Sequence, residues 1–306
     1  MQDVVHLSFA ATTVAAAWRL ATPIVFAAIG ETISERAGVI NIGVEGIMLL
    51  GAFTGFATVF ATGNLWFGFA AAIGAGLLFA FFSITIKANQ IVVGAALNLL
   101  GLGLTSFLFR TYFVSTGQGV QIAPALDFPI LSNIPYIGPA LFRQNALVYS
   151  TILVVIAARF LLRRTAFGLT LRAVGEHPKA VDVAGLSVSL YRYCAVLIGG
   201  ALAAFGGAYL TLAHANQFVE GMTSGRGFIA LAVVVFARWS PVGAFFVSLL
   251  FGLFYALQLV LQAQPNLGVP YQALQALPYI VTIVALVVVR NRTDAPSMLG
   301  VPYRKA

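Results

Sequence analysis

Long apolar runs with few charges dominate this sequence and restrict the environment in which it can fold. Hydrophobic residues make up 60% of the 306 residues and charged residues only 8%, against roughly 45–50% and 25% in soluble domains. A helix of about 20 apolar residues crosses the roughly 30 Å hydrocarbon layer of a membrane, so a chain of this length has room for about eight to ten such helices and little else. We therefore predict one all-α polytopic membrane domain over residues 1–306.

Nine apolar segments are predicted spans, and basic residues decide their orientation because cytoplasmic loops are enriched in Lys and Arg. With a cytoplasmic C-terminus, 13 of the 17 Lys and Arg residues lie inside and the other four lie outside or in the outer half. We therefore predict a multi-pass membrane protein with its N-terminus outside and its C-terminus cytoplasmic. The predicted spans lie near residues 10–30, 43–62, 65–86, 90–112, 145–162, 193–213, 226–237, 241–262 and 271–289.

The spacing of these segments predicts two repeat halves, residues 10–112 and 193–289, offset by about 180 residues and separated by one extra span. An odd number of intervening spans would invert the second half relative to the first, and interrupted helices in matching places point to a transport path. The interruptions are predicted at 31–46, which is rich in Gly and charge, and at 226–237, which is too short to cross a membrane. The other predicted regions are an external loop over 114–144, a cytoplasmic loop over 163–191 and a cytoplasmic tail of low order over 290–306.

The cytoplasmic loop 163–191 is the most charged stretch of the chain. Within it, Pro178 suits the first turn of a helix and Gly185 suits its end, so a short helix through Ala184 is predicted. Val181 and Ala184 would share an apolar face of that helix. Such a helix would present this face to a partner protein, while the alternative is a solvated loop with a local turn.

Three runs of residues carry a resemblance to a known family. They are GLTLRAVGEHPKAVDVAG (168–185), SERAGVINIGVEGIMLLGAF (34–53) and GMTSGRGFIALA (221–232). The first run resembles the loop by which permease subunits of ATP-driven (ABC) importers engage their ATPase. All three are similar to the permeases for branched-chain amino acids, simple sugars and nucleosides. The nucleoside branch, which works with basic membrane lipoproteins, is the nearest.

The resemblance implies a set of partners and a docking site. The partners would be ATPase subunits that bind ATP and magnesium, a second homologous permease that is identical or different, an extracytoplasmic substrate-binding protein and the lipid bilayer. This chain has no Walker A loop of its own. The residues that would engage the ATPase are Gly175, Glu176, Pro178, Val181, Asp182, Ala184 and Gly185.

Polar residues within or beside spans are the candidates for a substrate path, because burying them costs free energy unless they are paired or face water. Asn41, Glu45, Asn98 and Arg226 are the four candidates. Each also has a structural alternative: Asn41 as a helix cap, Glu45 as a carboxylate at a helix N-terminus, Asn98 as a bond between helices, and Arg226 as an anchor.

The sequence shows no enzyme motif, so we predict no catalytic residue, no metal site and no cofactor in this chain. The net charge of +8 lies mostly at span ends, which favours a topological role over nucleic-acid binding. We predict a permease of an ATP-driven importer, with nucleosides as substrate. Simple sugars or branched-chain amino acids are the first alternative. An ion-coupled carrier is less favoured, because acidic residues are absent from the middle of most predicted spans.

Overall fold

The computed structural model describes residues 2–72, 77–113, 119–120, 122–126, 132–134, 137–263, 270–289 and 294–303. The described residues form helices and no β-strand beyond an isolated bridge between Ala125 and Asn145. The helices are α1 (Gln2–Arg36), α2 (Val44–Thr62), α3 (Leu65–Ala72), α4 (Leu77–Ala80, continued as a π-helix over Phe81–Thr85), α5 (Gln90–Tyr112), α6 (Ile137–Phe142), α7 (Ala146–Arg164), α8 (Ala166–Glu176), α9 (Pro178–Val183), α10 (Val188–Tyr209, continued as a π-helix over Leu210–Ala215), α11 (Arg226–Phe236), α12 (Pro241–Gln262), α13 (Tyr271–Gln275) and α14 (Leu277–Val289).

Six of these helical segments are long and apolar enough to cross a membrane. They comprise residues 11–36, 44–62, 90–112, 146–164, 188–215 and 241–262. The predicted all-α polytopic fold is confirmed, whereas the predicted number of nine spans is not. The other three predicted spans correspond to shorter pieces: α3 and α4, the 11-residue α11, and α13 with α14.

The first helix continues six residues beyond its predicted end and stops at Arg36. Its last two turns are polar, and most of their polar side chains bond to residues outside the helix. Glu31 accepts from the Asn41 amide at 2.7 Å, Ser34 donates to the Ala195 carbonyl at 3.3 Å, and Glu35 accepts from the Trp239 indole at 2.5 Å. The predicted interruption at 31–46 is therefore wrong for residues 31–36, which are helical. The interruption is limited to the turn between Arg36 and Val44.

Helices α1 and α10, the first of each predicted half, pack closely against each other. The contact is close because both helices carry glycine there: a Cβ placed on Gly30 would lie 3.1 Å from the Cα of Gly199. Helices within membranes associate through such small residues, since lipid gives no hydrophobic gain for bringing them together. Helix α1 also packs along α12, and α10 packs along α2.

Similar contacts occur at the start of the interrupted helix in each predicted half, and the repeat stays a prediction. Gly43 precedes α2 and Gly225 precedes α11, which is an offset of 182 residues. In the first half Asn98 donates to the Ile42 carbonyl at 3.0 Å, and in the second half Tyr279 donates to the Ser224 carbonyl at 3.3 Å. In both halves a side chain from the fourth predicted span of that half therefore holds the turn that leads into an interrupted helix. The inversion itself stays a prediction.

The predicted short helix in the cytoplasmic loop is present as α9. Pro178 occupies its first turn, and Gly185 beyond its end adopts a φ of +81°, as a helix-terminating glycine does. The predicted low order of the tail is wrong for residues 294–303, because this segment bonds to the backbone and side chains of several neighbouring elements. Of the predicted external loop 114–144, the structure describes residues 119–120, 122–126, 132–134 and 137–144, which include α6.

The predicted orientation can be tested by labelling two exposed positions at opposite ends of the bundle, Thr62 at the end of α2 and Ser189 in the first turn of α10. In a Cys194→Ala background, we expect a membrane-impermeant maleimide to label Thr62→Cys on intact cells and to label Ser189→Cys only after permeabilisation. The Cys194→Ala parent gives the background signal. The reverse pattern would contradict the orientation predicted from the basic residues.

Candidate functional site

Two helix N-termini meet inside the bundle, and Glu45 joins them. Its carboxylate accepts from the Gly225 amide at 2.7 Å and from the Gly227 amide at 2.6 Å. The first amides of a helix have no partner within the helix, and the helix dipole favours a negative charge beside them. Glu45 lies in the first turn of α2 but satisfies the start of α11, 180 residues away. The structure agrees with the alternative of a carboxylate at a helix N-terminus, but Glu45 bonds to the N-terminus of α11 and not to that of its own helix α2.

Glycine is required where α11 begins. A Cβ on Gly227 would lie 2.6 Å from the Cα of Glu45, so a side chain there would push α11 away from α2. Gly225 has a φ of +81°, a conformation that other residues adopt only at a cost. These two glycines let the chain turn sharply and expose both amides to one carboxylate.

Asn98 fixes the start of α2 from the side of α5. Its side-chain nitrogen donates to the Ile42 carbonyl at 3.0 Å, and its side-chain oxygen accepts from the Gly46 amide at 2.8 Å. Asn98 is the ninth residue of α5, about 12 Å along a helix of roughly 33 Å. The two N-termini therefore meet within the membrane layer, and the structure agrees with the structural alternative of a bond between helices.

Asn41 is buried and shapes the turn before α2. Its backbone N–H donates to the Glu31 carboxylate at 2.7 Å, and its side-chain oxygen accepts from the backbone N–H of Gly43 at 3.0 Å. Both contacts are to the protein's own chain, which matches the capping alternative.

The buried acids Glu31 and Glu35 in α1 weaken the sequence argument against an ion-coupled carrier, because that argument assumed that acidic residues are absent from the middle of most spans. Each of the two has a hydrogen-bond donor from the protein.

Arg226 is half-buried at the first turn of α11 and is held by its own loop. Its Nη1 donates to the Met222 carbonyl at 2.9 Å and to the Thr223 carbonyl at 3.1 Å, and its guanidinium carbon lies 5.4 Å from the centre of the Tyr255 ring. This cation–π contact with α12 adds to the anchoring. Arg226 and Glu45 are the two predicted path residues that the structure brings to the same place, the start of α11.

Polar atoms on α12 form a group that sequence reasoning did not assign to the site. The Tyr255 hydroxyl, the Gln258 Oε1 and the Gln262 Nε2 are buried and bond to no described residue, and the same holds for the Nε of Arg226. The three α12 residues are spaced three and four apart, so they share one helix face. Buried polar groups of native proteins are nearly always bonded, to protein or to water. This face is therefore able to bind water or a polar solute. The spacing of Gln258 and Gln262 is visible in the sequence, but spacing alone does not distinguish a packing role from solute binding.

The residues predicted to engage an ATPase lie together at the predicted cytoplasmic end of the bundle, beside the last turn of α1. Gly175 packs against the backbone of Arg36 and Gly38, and Glu176 accepts from the Ser297 amide at 3.1 Å. Asp182 accepts from the Tyr303 hydroxyl at 3.0 Å. Desolvation and the bond to this carboxylate raise the pKa of the Tyr303 phenol above its ordinary value, so the phenol remains a donor at neutral pH.

The predicted apolar docking face of α9 needs a correction. Val181 is 5% exposed and packs against Val174 and Val188 of this chain, so it cannot lie on an exposed face. The reason is that α8 and α10 approach α9 from that side, which a pattern within one short helix does not reveal. The exposed apolar face consists of Ala180, Val183, which is 89% exposed, and Ala184. Beside it lies a hollow of about 280 Å³, lined by Lys87, Asp182, Gly185, Leu186, Ser187, Val188, Ser189 and Tyr303.

Comparison with known proteins identifies relatives along nearly the whole chain. Residues 13–289 match the family described as "Branched-chain amino acid transport system / permease component". TsgC13 of Haloferax volcanii, a permease protein named for a glucose ABC transporter, is 40% identical over 98% of this chain and 99% of its own. The nucleoside ABC transporter permease protein NupC of Lactococcus lactis is 39% identical, and the guanosine ABC transporter permease protein NupQ of Bacillus subtilis is 37% identical, each over 93% of this chain and 94% of its own. No solved structure matches the chain.

The bond between Glu45 and α11 predicts a stability difference between two matched substitutions. Glu45→Gln leaves one acceptor oxygen for two amides, so we expect the free energy of unfolding in detergent to fall by about 1–3 kcal/mol. Glu220→Gln is the control: its ion pair with Arg110, at 2.8 Å, is solvent-exposed, so its loss should lower the free energy of unfolding much less. Equal losses in the two variants would show that Glu45 is not needed to hold α11.

Proposed function

This chain belongs to the permease family of branched-chain amino acid transport systems, and we propose that it carries nucleosides into the cell as the membrane-spanning subunit of an ATP-driven importer. The support for nucleosides is its similarity to NupC and NupQ, which are named for nucleoside and guanosine transport and are covered almost completely. A simple sugar is the second candidate, because TsgC13 is named for glucose and is 40% identical. Branched-chain amino acids are a third candidate, suggested by the description of the family.

The proposed path passes the place where α2 and α11 begin. Transporters bind their substrates near the middle of the membrane, where helices are interrupted and backbone groups are exposed. Here Glu45 already satisfies the first amides of α11. The groups left for a solute are the Arg226 Nε, the Tyr255 hydroxyl and the two glutamines of α12. These groups supply donors, acceptors and one aromatic ring, which suits an uncharged solute with hydroxyl groups and a heteroaromatic base.

The energy for transport would come from a separate ATPase that binds ATP and magnesium. We propose that this ATPase docks on α9 through Val183 and Ala184, the exposed apolar residues at the end of that helix. Movement of α9 and α8 would reach the turn at Gly38, against which Gly175 packs. This turn leads into Asn41 and then into α2, whose Glu45 holds α11. A displacement at the docking surface would therefore reach both interrupted helices.

Two further partners complete the proposed importer: an extracytoplasmic substrate-binding protein and a second permease, identical or homologous. Helix α5 offers a surface for the second permease. Only 22% of the most apolar stretch of α5 is buried within this chain, whereas 78% of the corresponding stretch of α1 is buried. Leu99 and Phe107 are among the exposed residues of α5. The proposed location is the bacterial inner membrane, with the N-terminus outside and the C-terminus cytoplasmic.

The substrate is tested by competition. In cells that express the complete importer, we expect uptake of radiolabelled guanosine that depends on this chain. A hundredfold excess of unlabelled adenosine should suppress this uptake, and the same excess of glucose or leucine should not. Accumulation of labelled glucose but not of guanosine would favour the sugar transporter instead. A strain that lacks the chain gives the background.

Docking on α9 is tested by placing a charge on its exposed face. Ala184→Asp should leave the permease inserted but abolish uptake and co-purification of the ATPase, because a charge buried in an interface without a partner costs several kcal/mol. Ala166→Asp is the matched control, since Ala166 is exposed in the first turn of α8, where a carboxylate is favourable. Normal uptake by Ala184→Asp would exclude the proposed docking site.

A further inference from the structure

Residues 294–303, which we call the cytoplasmic strap, bind the end of α8 that leads into α9. The Met298 amide donates to the Gly175 carbonyl at 3.0 Å. The backbone N–H of Ser297 donates to the Glu176 carboxylate at 3.1 Å, and the Ser297 hydroxyl donates to the Glu176 backbone carbonyl at 2.7 Å. The strap thus satisfies carbonyl groups at the C-terminus of α8, which have no partner within the helix.

The same strap reaches elements of both predicted halves. The Gly300 amide donates to the Gly38 carbonyl at 3.1 Å, which joins the strap to the turn after α1. The buried Arg192 of α10 donates to the Val301 carbonyl at 2.9 Å. Asp294 pairs with Arg238, beyond the end of α11, at 2.8 Å. One short segment therefore connects the predicted first half, the predicted second half and the loop between them.

The end of the strap bonds directly to α9. The Tyr303 hydroxyl donates to Asp182 at 3.0 Å, and the Tyr303 ring packs on the small cluster formed by Val174, Val181 and Val188. Helix α9 has six residues, and isolated helices of that length do not form in water. Its conformation must therefore come from contacts outside the helix, and Tyr303 supplies both a polar contact and an apolar one.

We propose that the cytoplasmic strap is a positioning element for transport, which holds α9 in its docking conformation and links its movement to the Gly38 turn. This inference rests on the proposed docking of an ATPase on α9. Gly38 shows how closely the three parts meet: it has a φ of +82°, and a Cβ there would lie 3.1 Å from the Met298 carbonyl oxygen and 3.3 Å from the Cα of Gly175. Strap, α8 and turn are in direct contact, so a shift of one displaces the others.

A double-mutant cycle tests the contact between strap and helix. Tyr303→Phe keeps the ring but removes the hydroxyl, and Asp182→Ala removes its acceptor. In the reconstituted complex we expect Tyr303→Phe to lower the ratio of substrate-stimulated to basal ATP hydrolysis by roughly three- to tenfold, the effect of losing one hydrogen bond. Basal hydrolysis should not change. The double variant should be no worse than Asp182→Ala alone, because the two residues act through one bond.

Tyr112→Phe is the matched control, because Tyr112 is exposed at the far end of α5 and should keep the parental ratio. A chain that ends at residue 293 removes the whole strap and should lose stimulated hydrolysis and uptake. If Tyr303→Phe keeps the parental ratio, or if the effects of the two substitutions multiply in the double variant, the strap has no positioning role.

The result for Ala184→Asp separates this inference from the proposed function. If Ala184→Asp is inactive while Tyr303→Phe and the shortened chain work normally, docking on α9 stands and the strap proposal is wrong. If Ala184→Asp and all strap variants transport normally, α9 is not the docking site and both proposals are wrong. Loss of coupling in Tyr303→Phe, with normal amounts of assembled complex, supports the strap even if the shortened chain does not fold.

Discussion

The carboxylate of Glu45, bonded to two amides of α11, is the contact on which the centre of this structure depends. Lipid offers no hydrogen bonds, so a helix that begins inside the membrane layer needs acceptors from the protein itself. Helix α11 obtains them from Glu45, while Asn98 secures the start of α2. Without these side chains the two interrupted helices would expose backbone groups that nothing else described in the structure satisfies. The polar residues predicted to meet substrate are thus first of all the residues that make an interrupted bundle possible.

Features that depend on neighbouring residues in the chain could be predicted from the sequence. The short α11 is predicted by the length of its apolar segment, and the limits of α9 are predicted by Pro178 and Gly185. These signals lie within the segments themselves. The target of Glu45 could not be predicted, since its partners are 180 and 182 residues away. The inward direction of Val181 could not be predicted either, because it depends on how α8 and α10 approach α9.

The strap was missed for a related reason. Proline and glycine interrupt its short apolar stretches, and most of its bonds join backbone groups to distant backbone or side chains. Pro296 and Pro302 indicate an irregular tail near the chain end, and no hydrophobic period marks the segment. Its order comes from bonds to acceptors in distant parts of the fold: the Gly175, Glu176 and Gly38 carbonyls and the carboxylate of Asp182. The end of α1 was misjudged in the same way, because the partners of Glu31 and Glu35 lie outside the helix.

These contacts form a continuous connection between the proposed docking surface and the interrupted helices. From α9 it passes through Gly175 to Gly38, then through the bond between Asn41 and Glu31 to the start of α2, and through Glu45 to α11. Spatial continuity alone does not prove coupling, which requires an element with two arrangements that both sites bias. The turn between α1 and α2 is the best candidate for such an element. It is short, it contains a glycine with positive φ, and it is held from one side by the strap and from the other by Glu31. A change of one or two backbone angles there would move α2 together with the carboxylate that holds α11, so an ATPase acting on one turn could rearrange both sides of the path.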